Sequence, residues 1–378
     1  MFKNKFLDKY DIPIFLSLFI LNLLTITYFP YYIYNNGIVW QEILIFFVGW
    51  IFSGMGITIG YHRYFSHKTF RTYSIVEWLL MFCGTMGLQN KIINWCSDHR
   101  KHHKKLDTVA DPYSITEGFF HAHIGWIIKK GDDSIKGVSD LTKKSAVSFQ
   151  TKHYWPLAIL LCFIAPFLLG LTFGRPIGGL LWGGIVRVVA VHHFTFFINS
   201  LCHYIGNRKY DLNTTARDSW YMAFFTFGEG YHNYHHKFQW DYRNGIKWYN
   251  FDPSKWIIKF LSYFKITYNL RRVSSHQIFR ARIENINARI TNLSKKNTIN
   301  RIINKKIIKI TNNAFRNIES WQTLEDKYNK LKDIGKNKYN KIIYRKRIKS
   351  FELELKNSLS SLMIILVNLK NITEIQKL

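Results

Sequence analysis

The stretch IPIFLSLFILNLLTITYFPYYIY, Ile12 to Tyr34, holds no charged residue, and from Ile12 onward none appears before Glu42. A helix needs about 20 apolar residues to cross a bilayer, so this run predicts a membrane span. Three further runs qualify, at about 38–59, 154–173 and 177–201, with only Glu42 near the start of the second. A shorter run from Ile75, IVEWLLMFCGTMGLQ, contains Glu77 and reads as a helix at the interface or buried in protein. No small-residue cleavage site follows the first run, so a cleavable signal peptide is not expected.

The 378 residues are 47% hydrophobic and 17% aromatic, yet the net charge is +29. Those figures are compatible only if apolar and basic parts are segregated, and they are. The links between spans one and two (Asn35 to Gly37) and between spans three and four (around Gly174 and Arg175) are very short. Lysine and arginine concentrate at the N-terminus, between spans two and three, and after span four. The positive-inside rule then places both termini and the middle segment on the cytoplasmic side. The four cysteines (Cys83, Cys96, Cys162, Cys202) form no C-x-x-C pair, which argues for isolated buried thiols over a disulfide framework or a thiolate metal site.

Every histidine cluster falls on that same side. SDHRKHHKK carries His99, His102 and His103, and GEGYHNYHHKF carries His232, His235 and His236, two copies of one H-x-x-H-H spacing. Residues three and four apart share a helical face, so each triplet can converge if helical. GYHRYFSH places His62 and His67 just beyond the second span. Five positions apart, they share an α-helical face poorly, so the helix is expected to end or bend between them. His203 in NSLCHYIG sits at the end of the fourth span, with Asn199 one turn earlier. Among the remaining histidines, His153 and His276 read as ordinary surface or core residues. His192 and His193 read as makers of interhelical hydrogen bonds, and His121 and His123 as a weaker candidate metal pair.

Eight histidines in three compact groups on one side of a membrane point to metal binding. With His203 they are too many for one ion and suit two ions with four or five ligands each. Imidazole accepts zinc, copper, iron or nickel, so ligand chemistry alone does not choose. A two-metal site against lipid, with no carboxylate inside the boxes, suits redox work on an apolar substrate better than hydrolysis. That favours iron over zinc.

The run HRKHHKKLDTVADPYSITEGFFHAHIGW (His99 to Trp126) closely resembles the second histidine box of membrane acyl-CoA desaturases of the stearoyl-CoA Δ9 type. TARDSWYMAFFTFGEGYHNYHHKFQWDYRNGIKWYNFDPSKW (Thr215 to Trp256) is similar to their third box with its flanks, and HRYFSH to the first. The resemblance covers roughly residues 40–272. It implies an all-α integral membrane protein, with four transmembrane helices and a cytosolic helical cap holding a di-iron site. The ligands it implies are His62, His67, His99, His102, His103, His203, His232, His235 and His236, with Asn199 acting through water. Gln89, Trp95 and Thr195 fall where the family bends its acyl tunnel. Asn90, Asp98, Lys129 and Lys130 fall near positions that handle the CoA head group. Ser97 stands where animal members often have arginine, which leaves an acyl-lipid or acyl-carrier substrate open.

The implied activity is O2-dependent insertion of a cis double bond, at Δ9, into a long-chain acyl-CoA, with two Fe2+ ions as cofactor. Asp98, Asp107, Asp111 and Glu229 are candidates to orient the ligating imidazoles. A membrane fatty acid hydroxylase is the competing enzyme reading. A metal transporter or sensor is the non-enzyme one, but it predicts ligands spread through the spans. Arg187, mid-span, should face protein or a cavity, with Glu77 as one possible partner.

The division expected is a desaturase domain over residues 1–278 and a basic tail over 279–378. From Ala281 onward 22 lysines and arginines face 8 acidic residues. Isoleucine and lysine recur there at helical spacing, which suggests amphipathic helices on anionic lipid and not a nucleic-acid partner. No histidine follows His276, so the tail cannot ligate a bis-histidine haem. A separate electron donor of cytochrome b5 or ferredoxin type is therefore expected. The compartment would be the endoplasmic reticulum in a eukaryote and the inner membrane in a bacterium.

Overall fold

The computed structural model describes residues 9–131, 134–294, 301–333 and 338–375. In chain order its main helices begin with α1 (Ile12–Asn36), α2 (Trp40–Ser66), α3 (Ser74–Thr85), α4 (Ile92–Lys105), α5 (Ser145–Leu171) and α6 (Pro176–Tyr204). They continue with α7 (Trp220–Phe225), α8 (His232–Lys237), α9 (Pro253–Tyr263), α10 (Ser275–Ser294), α11 (Arg301–Asp333) and α12 (Lys338–Ile375). A two-residue antiparallel ladder joins β1 (Arg71–Thr72) to β2 (Thr267–Tyr268).

Four helices, α1, α2, α5 and α6, are long and apolar enough to cross a membrane, and the chain is a multi-pass, all-α membrane protein. In α1 the few polar side chains are satisfied within the helix. Ser17, Asn22, Thr25 and Thr27 each donate to the carbonyl four residues earlier, the arrangement lipid demands of a polar group with no water to bond. Asp11 caps the helix by accepting from the Ile14 amide at 3.1 Å.

The spans outrun the apolar sequence from which they were read. The third begins at Ser145 and not near 154. One polar residue ahead of its apolar run is inside the protein: Gln150 is buried, accepts from the Ile92 amide and donates to Tyr61 and Thr85, while Ser148 and Lys152 are exposed. The second continues to Ser66, past the expected end near 59, because its polar end is buried by the cap. Gly56 to Ser66 wind as a π-helix. Close packing permits this only with glycine at the crossing, since a Cβ on Gly56 would overlap the Cys83–Gly84 backbone of α3.

Opposite the cap, the short links are tied together. Glu42 is fully buried, accepts from the Tyr32 hydroxyl at 2.8 Å and pairs with Arg175 Nε at 2.8 Å. Arg175 also donates to the Asn36 and Gly37 carbonyls. The one acidic residue in the second span thus fastens one helical hairpin to the other. Arg187 is buried as expected, but its partners are the carbonyls of Met86 and Gly183. Glu77 is not among them. It pairs instead with Lys144 and Tyr64, because α3 lies outside the spans, beside the cap.

Two compact units divide the chain, one of Met1–Asn207 with Thr214–Arg272, the other of Arg208–Asn213 with Val273–Leu378. In the second, α10, α11 and α12 form an antiparallel bundle around Ile283, Ile318, Trp321, Leu355 and Leu362. Of the tail isoleucines, Ile283, Ile286, Ile290, Ile307 and Ile318 are buried in this bundle, whereas Ile302, Ile308, Ile342 and Ile343 are exposed. Helical periodicity is the same for a bundle and for a surface helix.

Removing Arg175 leaves a buried carboxylate short of its partner. Arg175→Ala should lower stability in detergent by about 1–3 kcal/mol, and adding Glu42→Gln should restore most of the loss. An unchanged melting temperature in the single variant would show that the clasp contributes nothing.

Candidate metal centre

The π-helical end of α2 decides where the first two histidines point. In an α-helix His62 and His67 would lie on different faces. With i to i+5 hydrogen bonding the fifth residue returns to the same face, and the His67 amide bonds the His62 carbonyl at 3.0 Å. Their rings lie 4.8 Å apart. The helix ends between them, at Ser66, as expected, and its last turns widen into a π-helix.

The two H-x-x-H-H segments are helical, in α4 and α8, yet neither triplet converges on one point. The nine histidines sort into two groups. His62, His67, His99, His103 and His235 form one, and His102, His203, His232 and His236 the other, with the ligand atoms of each group within 4.8 Å of one another. Each triplet gives its i and i+4 members to one group and its i+3 member to the other. From α4 the first group receives His99 and His103, while His102 goes across. From α8 the second receives His232 and His236, while His235 goes across. The two helices thus exchange ligands reciprocally.

Behind the rings lies a layer of anchoring groups. Glu229 Oε2 is 2.9 Å from His62 Nδ1, and Asp111 Oδ1 is 2.8 Å from His102 Nδ1. His203 Nδ1 is 2.7 Å from Thr215 Oγ1, which donates to Asp107 Oδ1 at 2.6 Å. His99 Nδ1 meets the Tyr113 hydroxyl at 3.2 Å. Of the four acidic residues singled out from sequence, Asp111 and Glu229 touch ligands directly and Asp107 acts through Thr215. Asp98 instead lines the neighbouring cavity.

Sequence reasoning missed Tyr113 and Thr215. It also missed Arg63, which is fully buried and grips Glu229 and Asp252 at 3.0 Å. Asn244 donates to Glu229 Oε2 at 2.6 Å, and the Asn244 and Gly245 amides bond Asp252. An arginine between two clustered histidines was the available signal, since such a charge needs acids nearby once buried.

The electrostatics suit cation binding. Burial first, and then the neighbouring imidazoles, hold His67, His99, His103, His232, His235 and His236 well below the usual histidine range. They are neutral at pH 7 with lone pairs available. Burial would raise Glu229, but His62 and Arg63 beside it outweigh this and lower it, so it stays ionised. Several Nε2 atoms face each other directly: His62 to His235 and His103 to His235 at 3.0 Å, His203 to His232 and His232 to His236 at 3.0 Å. Lone pairs packed this closely fit a positive ion in each group, and two ions are what the donor set accommodates.

His121 and His123 do not act as a pair. His123 bonds Ser200 Oγ and His193 at 3.0 Å, and His193 bonds Asn22 at 2.9 Å. His192 donates to the Leu88 carbonyl at 3.0 Å. His276 belongs to the tail bundle, where it meets Glu325 at 3.1 Å.

A largely apolar cavity of about 1100 Å³ reaches His62, His99 and His232. Gln89, Trp95, Thr195 and Asn199 line it near the histidines, and Asn90, Asp98, Lys129 and Lys130 line it as well. Gln89 donates to Thr195 Oγ1 at 2.8 Å and accepts from Trp95 Nε1 at 3.4 Å. The Trp95 ring stacks on His99 at 4.8 Å. A polar chain therefore lines the cavity directly beside the five-histidine group. Ser97 is turned away from charge recognition, with its hydroxyl in bonds to the Lys136 backbone at 3.0 and 3.1 Å.

The family model for fatty acid desaturases matches residues 39–271. Over 252 residues the chain is 39% identical to a probable acyl-CoA desaturase of Schizosaccharomyces pombe, covering 66% of this chain and 53% of the relative. It is 38% identical to acyl-CoA desaturase 1 of Saccharomyces cerevisiae, covering 66% and 49%. It is 33% identical over 231 residues to the sn-1 stearoyl-lipid 9-desaturase of Anabaena variabilis, covering 60% and 83%. The chain spans about half the length of the two yeast relatives.

Two tests follow from the anchors and the buried imidazoles. Glu229→Gln and Asp111→Asn should each weaken metal binding roughly 10- to 100-fold, read by titrating metal-free protein; unchanged affinity in both would discount the anchors. In the metal-free protein the buried imidazoles stay neutral, whereas in the unfolded chain they protonate near pH 6.5. The unfolded state then binds more protons, so stability present above about pH 6.5 is lost below it. The melting temperature should fall between pH 7.5 and 5.5, and a flat profile would contradict the neutral assignment.

Proposed function

The chain belongs to the fatty acid desaturase family, and on that premise we propose that it is an O2-dependent membrane desaturase that inserts a cis double bond, at Δ9, into a long-chain acyl-CoA. The observation that carries this reading is a largely apolar cavity that runs to two groups of clustered imidazoles and is lined there by the Gln89–Thr195–Trp95 chain. Iron is the metal we assign to both groups. An unactivated methylene has no acidic proton, so general acid-base chemistry by side chains cannot break its C–H bond. A bound iron pair would supply the oxidising chemistry, with O2 reduced to water.

The residues of the chain do the rest. Glu229 and Asp111 hold two imidazoles in the orientation that points Nε2 inward, and Arg63 keeps Glu229 ionised and fixed. Asn199 would reach one ion through water. The cavity wall excludes bulk water from the acyl chain and bends it at Gln89. Bend and depth must set which carbons are presented, because apolar contact distinguishes one methylene by only about 1–3 kcal/mol.

At the mouth, Lys129 and Lys130 would meet anionic groups of CoA, with Asn90 and Asp98 as hydrogen-bonding partners. A second reading, an acyl-lipid substrate, is favoured by one observation, that Ser97 contributes no charge there. By the positive-inside rule both termini and the metal centre face the cytoplasm, and electrons arrive from a separate donor of cytochrome b5 or ferredoxin type.

Expression in a host unable to make monounsaturated fatty acids should yield a cis alkene at one position, detected in the lipid profile. His235→Ala should abolish it while the protein still inserts into the membrane. A hydroxylated acyl product would support the hydroxylase alternative and overturn the proposal, and alkene formation by His235→Ala would remove that residue from the centre.

A further inference from the structure

The polar bend of the cavity stands on a loop held in part by its own bonds, the Gly87 and Leu88 amides to the Gly84 and Thr85 carbonyls at 2.9 and 3.1 Å and the Lys91 amide to Asn90 Oδ1 at 2.8 Å. Residues 86–91 link α3 to α4, and Leu88 and Asn90, on either side of Gln89, have φ values of 50° and 73°. L-residues other than asparagine, aspartate and glycine rarely adopt this left-handed region. Such a conformation persists only when surrounding groups fix it. Further fixing groups come from the membrane spans. From α5, the Tyr154 hydroxyl accepts from the Asn90 amide at 2.8 Å. From α6, Arg187 bonds the Met86 carbonyl and His192 Nε2 donates to the Leu88 carbonyl at 3.0 Å.

The α6 residues form a series. His192, Thr195, Asn199 and His203 follow at spacings of three and four, so they share one stripe of the helix. His192 holds the backbone beside Gln89, Thr195 holds the Gln89 side chain, Asn199 lines the cavity near the centre, and His203 belongs to the four-histidine group. One helix therefore carries both the hold on the bend and a ligand of the metal centre. The helix is regular from Arg187 to Asn199, which holds His192, Thr195 and Asn199 in fixed register, and it breaks at Ser200 before the Leu201–Tyr204 turn that carries His203.

We propose that His192 is a positioning residue for double-bond placement: through the Leu88 carbonyl it sets how far along α6 the Gln89 bend stands from the metal centre. His192 also lines the cavity, and the role assigned here is the one it plays through the Leu88 carbonyl. Without its bond, Leu88 can relax out of the left-handed conformation, and the Gln89 amide beside it moves along the helix axis. A shift of about 1.5 Å, the rise of one helical residue, is comparable with the step between neighbouring methylenes and would present a different C–H pair. The inference rests on the desaturase reading above.

The test is the position of the double bond in acyl products of a host expressing the full chain, mapped by mass spectrometry of disulfide adducts. The parent should give one position, and no alkene from the parent defeats the functional proposal itself, separately from this one. His192→Leu should yield a second position in at least about a tenth of the alkene. His192→Gln, whose amide can still donate to the Leu88 carbonyl, should return the product to the parental position. Arg187→Lys provides a further active member of the series, with an intermediate mixture expected. If every active variant keeps the parental position and only the amount of alkene falls, the role of His192 is merely structural and the proposal is overturned. An inactive His192→Gln overturns it as well.

Discussion

Neutral imidazoles facing one another nitrogen to nitrogen are the constraint on which the structure depends. His62, His102 and His203 have their Nδ1 sides against Glu229, Asp111 and Thr215. Because Thr215 already donates to Asp107, its oxygen must accept from His203. Those three rings are thereby committed to bare Nε2 atoms pointing inward. If His232 and His236 supplied the missing hydrogens to His203 and His102, their two N–H groups would oppose each other across 3.0 Å. No tautomer pattern satisfies the four-histidine group alone, and a cation does.

Holding such a group open requires everything around it to be rigid, and the surrounding architecture follows from that need. The π-helical turn in α2 aligns His62 with His67 and places Arg63 between them, facing the other way. Arg63 in turn needs Glu229 and Asp252, which are held by the Asn244 and Gly245 segment. This explains why the sequence around the third box extends so far beyond its histidines. The residues up to Lys255 form the socket of one buried guanidinium, with Lys255 itself donating to the Gly245, Lys247 and Asn250 carbonyls at 2.6 to 3.0 Å. Burial and its partial compensation by Asp252 leave that lysine lowered to about 8.

Much of this was legible in the sequence, for identifiable reasons. Membrane spans are written in uninterrupted composition, so Ile12 to Tyr34 needed no partner to be read. The box histidines were legible because metal ligation demands one residue type at helical spacing. What was hidden depends on distance relations that spacing does not encode. The i to i+5 register of His62 and His67 looks like a broken α-helix until the π-turn is seen. Thr215 and Tyr113 are common residues whose role comes only from the ring they touch. Arg187 could be read as buried but not paired, because its partners are backbone carbonyls that every residue carries. The isoleucine faces of the tail could be seen, but not which residues pack into a bundle, as Ile307 does, and which stay exposed, as Ile302 and Ile342 do.

The central claim is that the chain holds two ions of one redox metal, shared reciprocally by α4 and α8. The most direct measurement is diffraction from crystals of the purified full chain at the iron absorption edge. The account predicts two anomalous peaks, one inside the group of His62, His67, His99, His103 and His235, and one inside that of His102, His203, His232 and His236. A single peak, or peaks that appear at the zinc edge and not at the iron edge, would contradict it.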